Sequence, residues 1–386
     1  MFKSSIDKCL NWIERDMLSY DRASYGLYER IRTDINLRVP RMRPDTATEF
    51  MMVAHEYKKV YGDTRYDDIY ENLVKWLLGV QNKKEDEGNT AFAFYFVDGD
   101  RKMPSPNWLY PNDNGKIILN LSTLYMETGD KRLLDMADKS GKFWLYMQGD
   151  DGYYNPGMRT PCMMLWMMAG MLALYKATGN EAYKASAYSA FDYAKKNFIK
   201  DGRVLSSYEI DKSECWRTVA SENIIALVTF ALGYKFTEDD AFLEAISSIE
   251  IFCERLIDKS GAIINYTEET RDASLNNEEN LTDLVYTDAF ALNAFVELYL
   301  ITKNPKWLEY AKGLGSFLAE IQCDEGNPKV DGAWRGSYNI KTEKYAGRCD
   351  QNNPIDEGGQ YSVYVGWCAL PNLMGMLGVE RILKDE

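Results

Sequence analysis

The 386-residue sequence predicts an all-α protein in which six helical hairpins follow one another. Six segments share one layout: a loop of turn and charged residues, an apolar helix, a short turn and an amphipathic helix. Gly or Asn in the short turns is expected to end one helix in the left-handed conformation, and Asp or Asn to cap the next. These turns begin at Tyr61, Thr128, Thr178, Phe236 and Lys303.

The two helices of each pair differ in hydrophobic pattern. The helix before a short turn is apolar all round, which predicts burial, whereas the next is striped, which predicts an outer helix that covers it. The apolar examples span Thr160–Thr178, Ser221–Phe236 and Thr287–Thr302, and the striped ones span Lys131–Met147, Glu181–Phe198, Ala241–Ile257 and Lys306–Ile321. The series opens with a helix at Phe2–Leu18 and closes with one at Tyr361–Leu383, about twelve in all. Strand signals are sparse and lie in long loops, at Thr90–Val97 and Trp334–Tyr338.

Twelve alternating inner and outer helices, with the loop elements Asn112-Asp113-Asn114-Gly115 and Asp356-Glu357-Gly358-Gly359, resemble the (α/α)6 barrel of the six-hairpin glycosidase superfamily. The resemblance covers essentially the whole chain. It implies one catalytic domain over residues 1–386 and a carbohydrate-active enzyme, most often a hydrolase. The alternative is a helical solenoid used for binding, but its repeats are shorter and more regular than the 50 to 67 positions between these turns.

Composition excludes several functions. The formal net charge of −14 argues against broad binding of nucleic acid, and no apolar run is long enough to span a membrane. Seven scattered Cys without a CxxC pair indicate free thiols and a cytoplasmic location. The single histidine, His55, is expected to be a packed or hydrogen-bonded helix residue, which disfavours histidine-based zinc sites and Ser-His-Asp triads. No metal or cofactor motif is present, so no cofactor is expected.

The long loops all lead into the N-termini of the apolar helices, and that end of the molecule is the expected site. Carboxylates, aromatics and arginines recur there, which suits acid–base catalysis on a saccharide that carries a uronic acid or another anionic group. The predicted catalytic carboxylates are Asp45, Asp113, Asp288 and Glu357, although Asp45 and Asp113 could equally be helix caps. The predicted substrate-binding residues are Arg43, Glu49, Trp108, Tyr154, Arg159, Arg217, Glu222, Trp334, Arg348 and Tyr361.

The predicted function is therefore a glycoside hydrolase whose partner is an oligosaccharide. A polysaccharide lyase on the same barrel is the first alternative, with Tyr154, Tyr286 or Tyr361 as base. A non-catalytic carbohydrate-binding protein is the second alternative. Sugar epimerases of related fold use paired histidines, which this chain lacks.

Overall fold

The computed structural model describes residues 1–19, 26–82, 90–97, 109–155, 160–206, 217–218, 220–265, 280–347 and 359–385. Within these residues the chain forms twelve α-helices. The six outer helices are α1 (Lys3–Trp12), α3 (Asp67–Val80), α5 (Lys131–Met147), α7 (Glu181–Asn197), α9 (Asp240–Arg255) and α11 (Pro305–Glu320). The six inner helices are α2 (Pro44–Tyr61), α4 (Pro111–Thr128), α6 (Pro161–Thr178), α8 (Ala220–Thr237), α10 (Asp288–Thr302) and α12 (Leu370–Asp385).

The inner helices form a closed ring. Each packs against the next, and α12 packs against α2. The outer helices cover them, with a striped apolar face turned inward. The architecture is an (α/α)6 barrel, as the sequence predicts.

The ends of the inner helices follow the predicted turn chemistry. Proline occupies the first turn of α2, α4 and α6, where its missing N–H costs nothing. Gly62, Gly129 and Gly179 end these helices with φ near +70°. In the fourth and fifth turns Glu238 and Lys303 take this conformation instead. The outer helices α5, α7, α9 and α11 are capped by the side chains of Asp130, Asn180, Asp239 and Asn304.

Short antiparallel strands occupy the loops. They are β1 (Arg30–Arg32), β2 (Leu37–Arg38), β3 (Arg41–Met42), β4 (Phe96–Val97), β5 (Ile199–Lys200), β6 (Arg203–Ser206), β7 (Arg217–Thr218), β8 (Leu281–Asp283), β9 (Ser337–Asn339), β10 (Lys344–Tyr345) and β11 (Ser362–Tyr364). Their sheets have the orders β11-β1-β2, β10-β9-β8, β3-β4 and β5-β6-β7.

Two local predictions are wrong. The predicted last helix began at Tyr361, but β11 and a π-helical segment, Val365–Ala369, precede α12. The strand predicted over Thr90–Val97 is reduced to β4, because only Arg41 and Met42 pair with it. No helix within the described ranges is long and apolar enough to cross a membrane.

Candidate active site

A buried cluster of charges lies where α2 and α4 begin, at the end of the ring that receives the long loops. Arg43 is the centre of this cluster and stands directly before α2. Its guanidinium donates two parallel hydrogen bonds to Asp45, at 3.0 and 2.8 Å, and a third to Glu29 at 3.0 Å. Such charge-assisted pairs hold a carboxylate in its ionised form. We call Glu29, Arg43, Asp45 and Asp113 the acidic cluster.

Asp113 differs from the other carboxylates of the acidic cluster. Nη2 of Arg43 lies 2.8 Å from its Oδ1, but neither oxygen of Asp113 has a hydrogen-bond partner among the described residues. Burial raises the pKa of Asp113 to about 8, and the nearby Arg43 offsets only part of this effect. A raised pKa favours the protonated form of Asp113 at neutral pH, and the described residues offer its oxygens no hydrogen-bond partner.

The local sequence explains why Asp113 faces this cluster. The predicted turn at Asn112-Asp113-Asn114-Gly115 is instead the first turn of α4, which begins at Pro111. A Cβ on Gly115 would lie 2.4 Å from the backbone nitrogen of Met167, so glycine is needed for α4 to approach α6 this closely. Helix capping was the alternative to a catalytic role for Asp45 and Asp113. Neither residue is a cap, since both lie inside their helices and neither accepts from a backbone N–H of the first turn.

A second ion pair, Glu49 with Lys116, forms the floor beneath the acidic cluster. Both residues are buried one turn further along α2 and α4. The Lys116 ammonium lies 3.8 Å from the ring centroid of Trp367, 5.0 Å from that of Phe290 and 5.6 Å from that of Trp166. Aromatic faces attract a cation, so these rings and Glu49 together compensate the buried charge. Burial raises the pKa of Glu49, while Lys116 acts in the opposite direction.

Trp367 joins the floor to the acidic cluster. Its indole Nε1 donates to Oδ2 of Asp45 at 2.6 Å, and its backbone N–H donates to Oε2 of Glu49 at 3.3 Å. The residue has a φ of +62°, a conformation that is strained for a bulky side chain. At the preceding Gly366 a Cβ would lie 2.4 Å from Oγ1 of Thr46, so glycine is needed for this segment to approach α2 this closely. The strain indicates that the position of the indole is constrained by its surroundings.

The far side of the floor faces an axial cavity of about 130 Å³. The cavity runs between the inner helices toward the short turns, where Lys235 and Glu297 pair. Glu49 and Lys116 thus separate this cavity from the acidic cluster.

Asp288 has a different environment from the acidic cluster. Its Oδ1 accepts from the N–H of Ile263 at 2.8 Å, and its Oδ2 accepts from the hydroxyl of Thr282. Burial raises the pKa of Asp288 to about 8. The side chain is turned toward the preceding loop and not down the barrel axis.

Two asparagines at the starts of other inner helices bind the preceding loop in the same way. Asn114 accepts from the N–H of Phe92 at 2.9 Å and donates to its carbonyl at 3.0 Å. Asn223 does the same with Val204, at 2.7 and 3.0 Å. We call the side chains of Asn114, Asn223 and Asp288 the loop pins. In Asp288 a carboxyl takes the place of the amide.

The remaining predicted residues are spread over several environments. Glu222 is buried and accepts from the backbone N–H of Cys162 at 2.7 Å. Tyr154 and Trp334 have no exposed surface; the Tyr154 hydroxyl pairs with Ser186, and Trp334 donates to a backbone carbonyl. Neither can stack on a sugar in this arrangement, so we leave both out of the proposed site. The side chains of Trp108, Arg159, Arg217, Arg348 and Glu357 lie outside those that the structure describes.

Sequence reasoning missed Glu29, Lys116 and Trp367. Lys116 carried a signal, as a lone charge one turn after Asp113 in an otherwise apolar helix face.

His55 is hydrogen-bonded, as predicted. Its partner is Glu127, 2.7 Å away, near the C-terminal end of α4. The five cysteines within the described ranges are free thiols. In those ranges no group of three or more His, Cys, Asp or Glu side chains is arranged to hold a metal ion.

The same fold occurs in solved structures of sugar-processing enzymes. A cellobiose 2-epimerase from Spirochaeta thermophila superposes with a TM-score of 0.72 at 14% identity, over 99% of both chains. A family 76 α-mannanase from Bacteroides thetaiotaomicron superposes with a TM-score of 0.71 at 15% identity, over 100% of this chain and 98% of that one. An unsaturated glucuronyl hydrolase specific for heparin superposes with a TM-score of 0.69 at 14% identity, with the same coverage. No protein-family model and no curated protein sequence matches the chain. The comparisons therefore establish the (α/α)6 fold that the resemblance implied.

Proposed function

We propose that this protein is a glycoside hydrolase that acts on an oligosaccharide, with Asp113 as the general acid. The observation that carries the proposal is the buried carboxyl of Asp113, which has no hydrogen-bond partner among the described residues and lies beside Asp45, whose two oxygens Arg43 holds. Glycoside hydrolysis uses two carboxyl groups in different surroundings, one of which gives a proton. The epimerase and hydrolase names of the structural neighbours agree with a sugar substrate.

In the proposed reaction, Asp113 gives its proton to the glycosidic oxygen as the bond to the anomeric carbon breaks. The sugar ring then carries positive charge, and Asp45, with Glu29 and Glu49 nearby, stabilises it electrostatically. These carboxylates and Asp113 outnumber the two cations, Arg43 and Lys116.

Asp45 is assigned this electrostatic role rather than that of a base. Nη2 of Arg43 lies 2.8 Å from an oxygen of Asp45 and 2.8 Å from an oxygen of Asp113, so those oxygens are at most twice that distance apart. An inverting enzyme separates its two carboxyls by roughly 6.5–9.5 Å to admit a water molecule. Both oxygens of Asp45 are also already hydrogen-bonded. Glu357, predicted from the sequence, remains our candidate for activating the water.

The predicted anionic group of the substrate would have to bind away from the acidic cluster. Arg43 is surrounded by carboxylates and Lys116 is paired with Glu49, so neither has charge to offer a uronate. We therefore propose that the reacting ring is bound at Asp113. Arg159, Arg217 and Arg348 are the candidates for an anionic substituent elsewhere on the substrate.

Two alternatives receive less support from the geometry. Of the three tyrosines that a lyase could use as base, Tyr154 is disfavoured, because burial raises its pKa and its hydroxyl is paired with Ser186. Tyr361 is exposed, but it lies in a cavity that shares no lining residue with the acidic cluster. A histidine-dependent epimerase would need an imidazole at the acidic cluster. The only histidine in the chain instead pairs with Glu127 toward the opposite end of α2 and α4.

The test compares Asp113→Asn with Asp288→Asn, two buried acids whose pKa values are both about 8. Purified proteins are incubated with neutral and uronate-containing oligosaccharides, and products are followed by mass spectrometry and ultraviolet absorbance. We expect wild-type products that gain one water, a fall in kcat above pH 8 as Asp113 loses its proton, and about a 10²–10⁴-fold lower kcat for Asp113→Asn. Asp288→Asn should remain active.

Three outcomes would contradict the proposal. An unsaturated product without water gain would indicate a lyase. Thermal stabilisation by one saccharide without turnover would indicate a binding protein. Full activity in Asp113→Asn would remove Asp113 as the acid.

A further inference from the structure

A second cavity, of about 540 Å³, lies beside the β9–β10 hairpin and shares no lining residue with the acidic cluster. Its volume is in the range of small-molecule sites. The lining that matters for the argument consists of Glu325, Arg335, Tyr338, Tyr345, Gln360 and Tyr361.

One part of the lining is the planar guanidinium of Arg335, which hydrogen bonds hold in place. Arg335 donates to both carboxylate oxygens of Glu325, at 3.0 and 2.7 Å. Its Nη1 also donates to the hydroxyl of Thr33 at 2.7 Å and to the carbonyl of Gln360 at 3.0 Å. A guanidinium with this many bonds is fixed before any ligand arrives, so binding would not have to order it.

The lining also contains aromatic side chains, and the Arg335 guanidinium lies 6.0 Å from the ring centroid of Tyr345. Tyr338 and Tyr345 pack edge to face, with ring centroids 5.3 Å apart. The Tyr361 side chain is different, because 55% of the residue remains exposed. Its backbone is nevertheless fixed, since its carbonyl accepts from the N–H of Thr33 at 2.9 Å and from its hydroxyl at 3.1 Å. Tyr361 thus presents an open aromatic face on a fixed backbone.

The charge of the cavity indicates the class of ligand. Among the described residues, Asp324, Glu325 and Glu343 line it together with two cations, Arg335 and Lys344. Glu325 pairs with Arg335 and Asp324 pairs with Lys8, so the lining carries no surplus positive charge. Flat aromatic faces beside fixed polar groups, without surplus positive charge, suit a neutral sugar ring better than a uronate or a phosphate.

A strand connects this cavity to the acidic cluster. From Tyr361 the chain runs through β11 to Val365, whose N–H donates to the carbonyl of Glu29 at 3.0 Å. The four steps from Tyr361 to Val365, of which β11 forms three residues, cover at most about 13 Å. A span of this size between Tyr361 and the backbone of Glu29 exceeds one sugar ring and is within the length of an oligosaccharide.

We propose that this cavity is a distal subsite, which binds a neutral sugar unit of an extended oligosaccharide while another unit lies at Asp113. This inference rests on the proposed function for its substrate class. It predicts that Tyr361 contributes to the binding of long substrates only, and that it does so through its ring rather than its hydroxyl.

The test uses neutral hexasaccharides of glucose, mannose and xylose and the matching disaccharides. Tyr361→Ala should raise KM for the hydrolysed hexasaccharide about tenfold, the effect of one aromatic contact, and leave kcat and the disaccharide KM unchanged. Tyr361→Phe should behave as wild type. The matched control is Tyr146→Ala on α5, where the tyrosine is 85% exposed and lines neither cavity.

Calorimetric titration of the intact Asp113→Asn protein with the same hexasaccharides separates this inference from the proposed function. Binding that weakens about tenfold on adding Tyr361→Ala supports the subsite even if no hydrolysis is found. Hydrolysis with equal KM values for wild type and Tyr361→Ala on the hexasaccharide overturns the subsite while the hydrolase assignment stands. The same KM increase in Tyr146→Ala, or with the disaccharide, would also overturn it.

Discussion

Replacement of Asp288 by asparagine should make the protein more stable, although it removes a buried, hydrogen-bonded side chain. The amide would keep the bond from Ile263 N–H through its oxygen. Its NH2 group would lie at the hydroxyl of Thr282, which can rotate from donor to acceptor. The loop pins formed by Asn114 and Asn223 show that an asparagine fits at the start of an inner helix.

The magnitude follows from the raised pKa of Asp288 in the folded state. The folded pKa is about 8, against an ordinary value of 3.8 in an unfolded chain. Between these values the folded protein binds a proton that the unfolded chain has released, so the free energy of unfolding decreases as pH rises and levels off above pH 8. Each pH unit in this window costs about 1.36 kcal/mol, so the penalty at pH 7 is at most about 4 kcal/mol. Asparagine carries no such penalty.

Urea denaturation of wild type and Asp288→Asn at pH 5 and pH 7 measures this difference. The advantage of the variant should grow by about 2.7 kcal/mol between the two pH values. The reverse substitution, Asn223→Asp, is the matched control and should make the protein less stable as pH rises. A stability difference that stays constant from pH 5 to pH 7 would refute the reasoning, because Asp288 would then be ionised in both states.

Two further predictions concern the buried ion pairs. Arg43→Met should destabilise the fold by about 3–5 kcal/mol, because Glu29 and Asp45 lose the buried guanidinium that pairs with both. Urea denaturation of wild type and variant checks this, and an unchanged free energy of unfolding would contradict it. Lys116→Met should cost a similar amount by leaving Glu49 unpaired, whereas the double variant with Glu49→Gln should recover most of the loss. A double-mutant cycle measures that recovery, and simple additivity of the two losses would show that the pair is not coupled.

The fold could be predicted from the sequence because its signals are local. The left-handed glycines Gly62, Gly129 and Gly179 and the capping residues Asp130 and Asn180 mark the short turns within a few positions. The same local logic failed at the last helix. Strand β11 is set by its pairing with β1, and nothing near Ser362 in the sequence reveals that distant partner.

The site could be predicted in part. The sequence identified Arg43, Asp45 and Asp113 as candidates at one end of the ring, and the structure brings these three together. It could not distinguish a carboxyl at the acidic cluster from one in a loop pin, because both stand at the start of an inner helix. Trp367 was missed because its importance comes from one indole bond to Asp45, which no spacing in the sequence indicates.

That indole bond has a consequence for synthesis of the protein. Asp45 and Trp367 are 322 positions apart, so Asp45 is synthesised long before the tryptophan whose indole orients its carboxylate. The same delay applies to β1, whose partner β11 comes from the last hairpin, and to α2, which packs against α12. The earlier hairpins can form in turn as each leaves the ribosome, but the acidic cluster is completed only when the last one docks. Until then the side of α2 that packs against α12 stays uncovered.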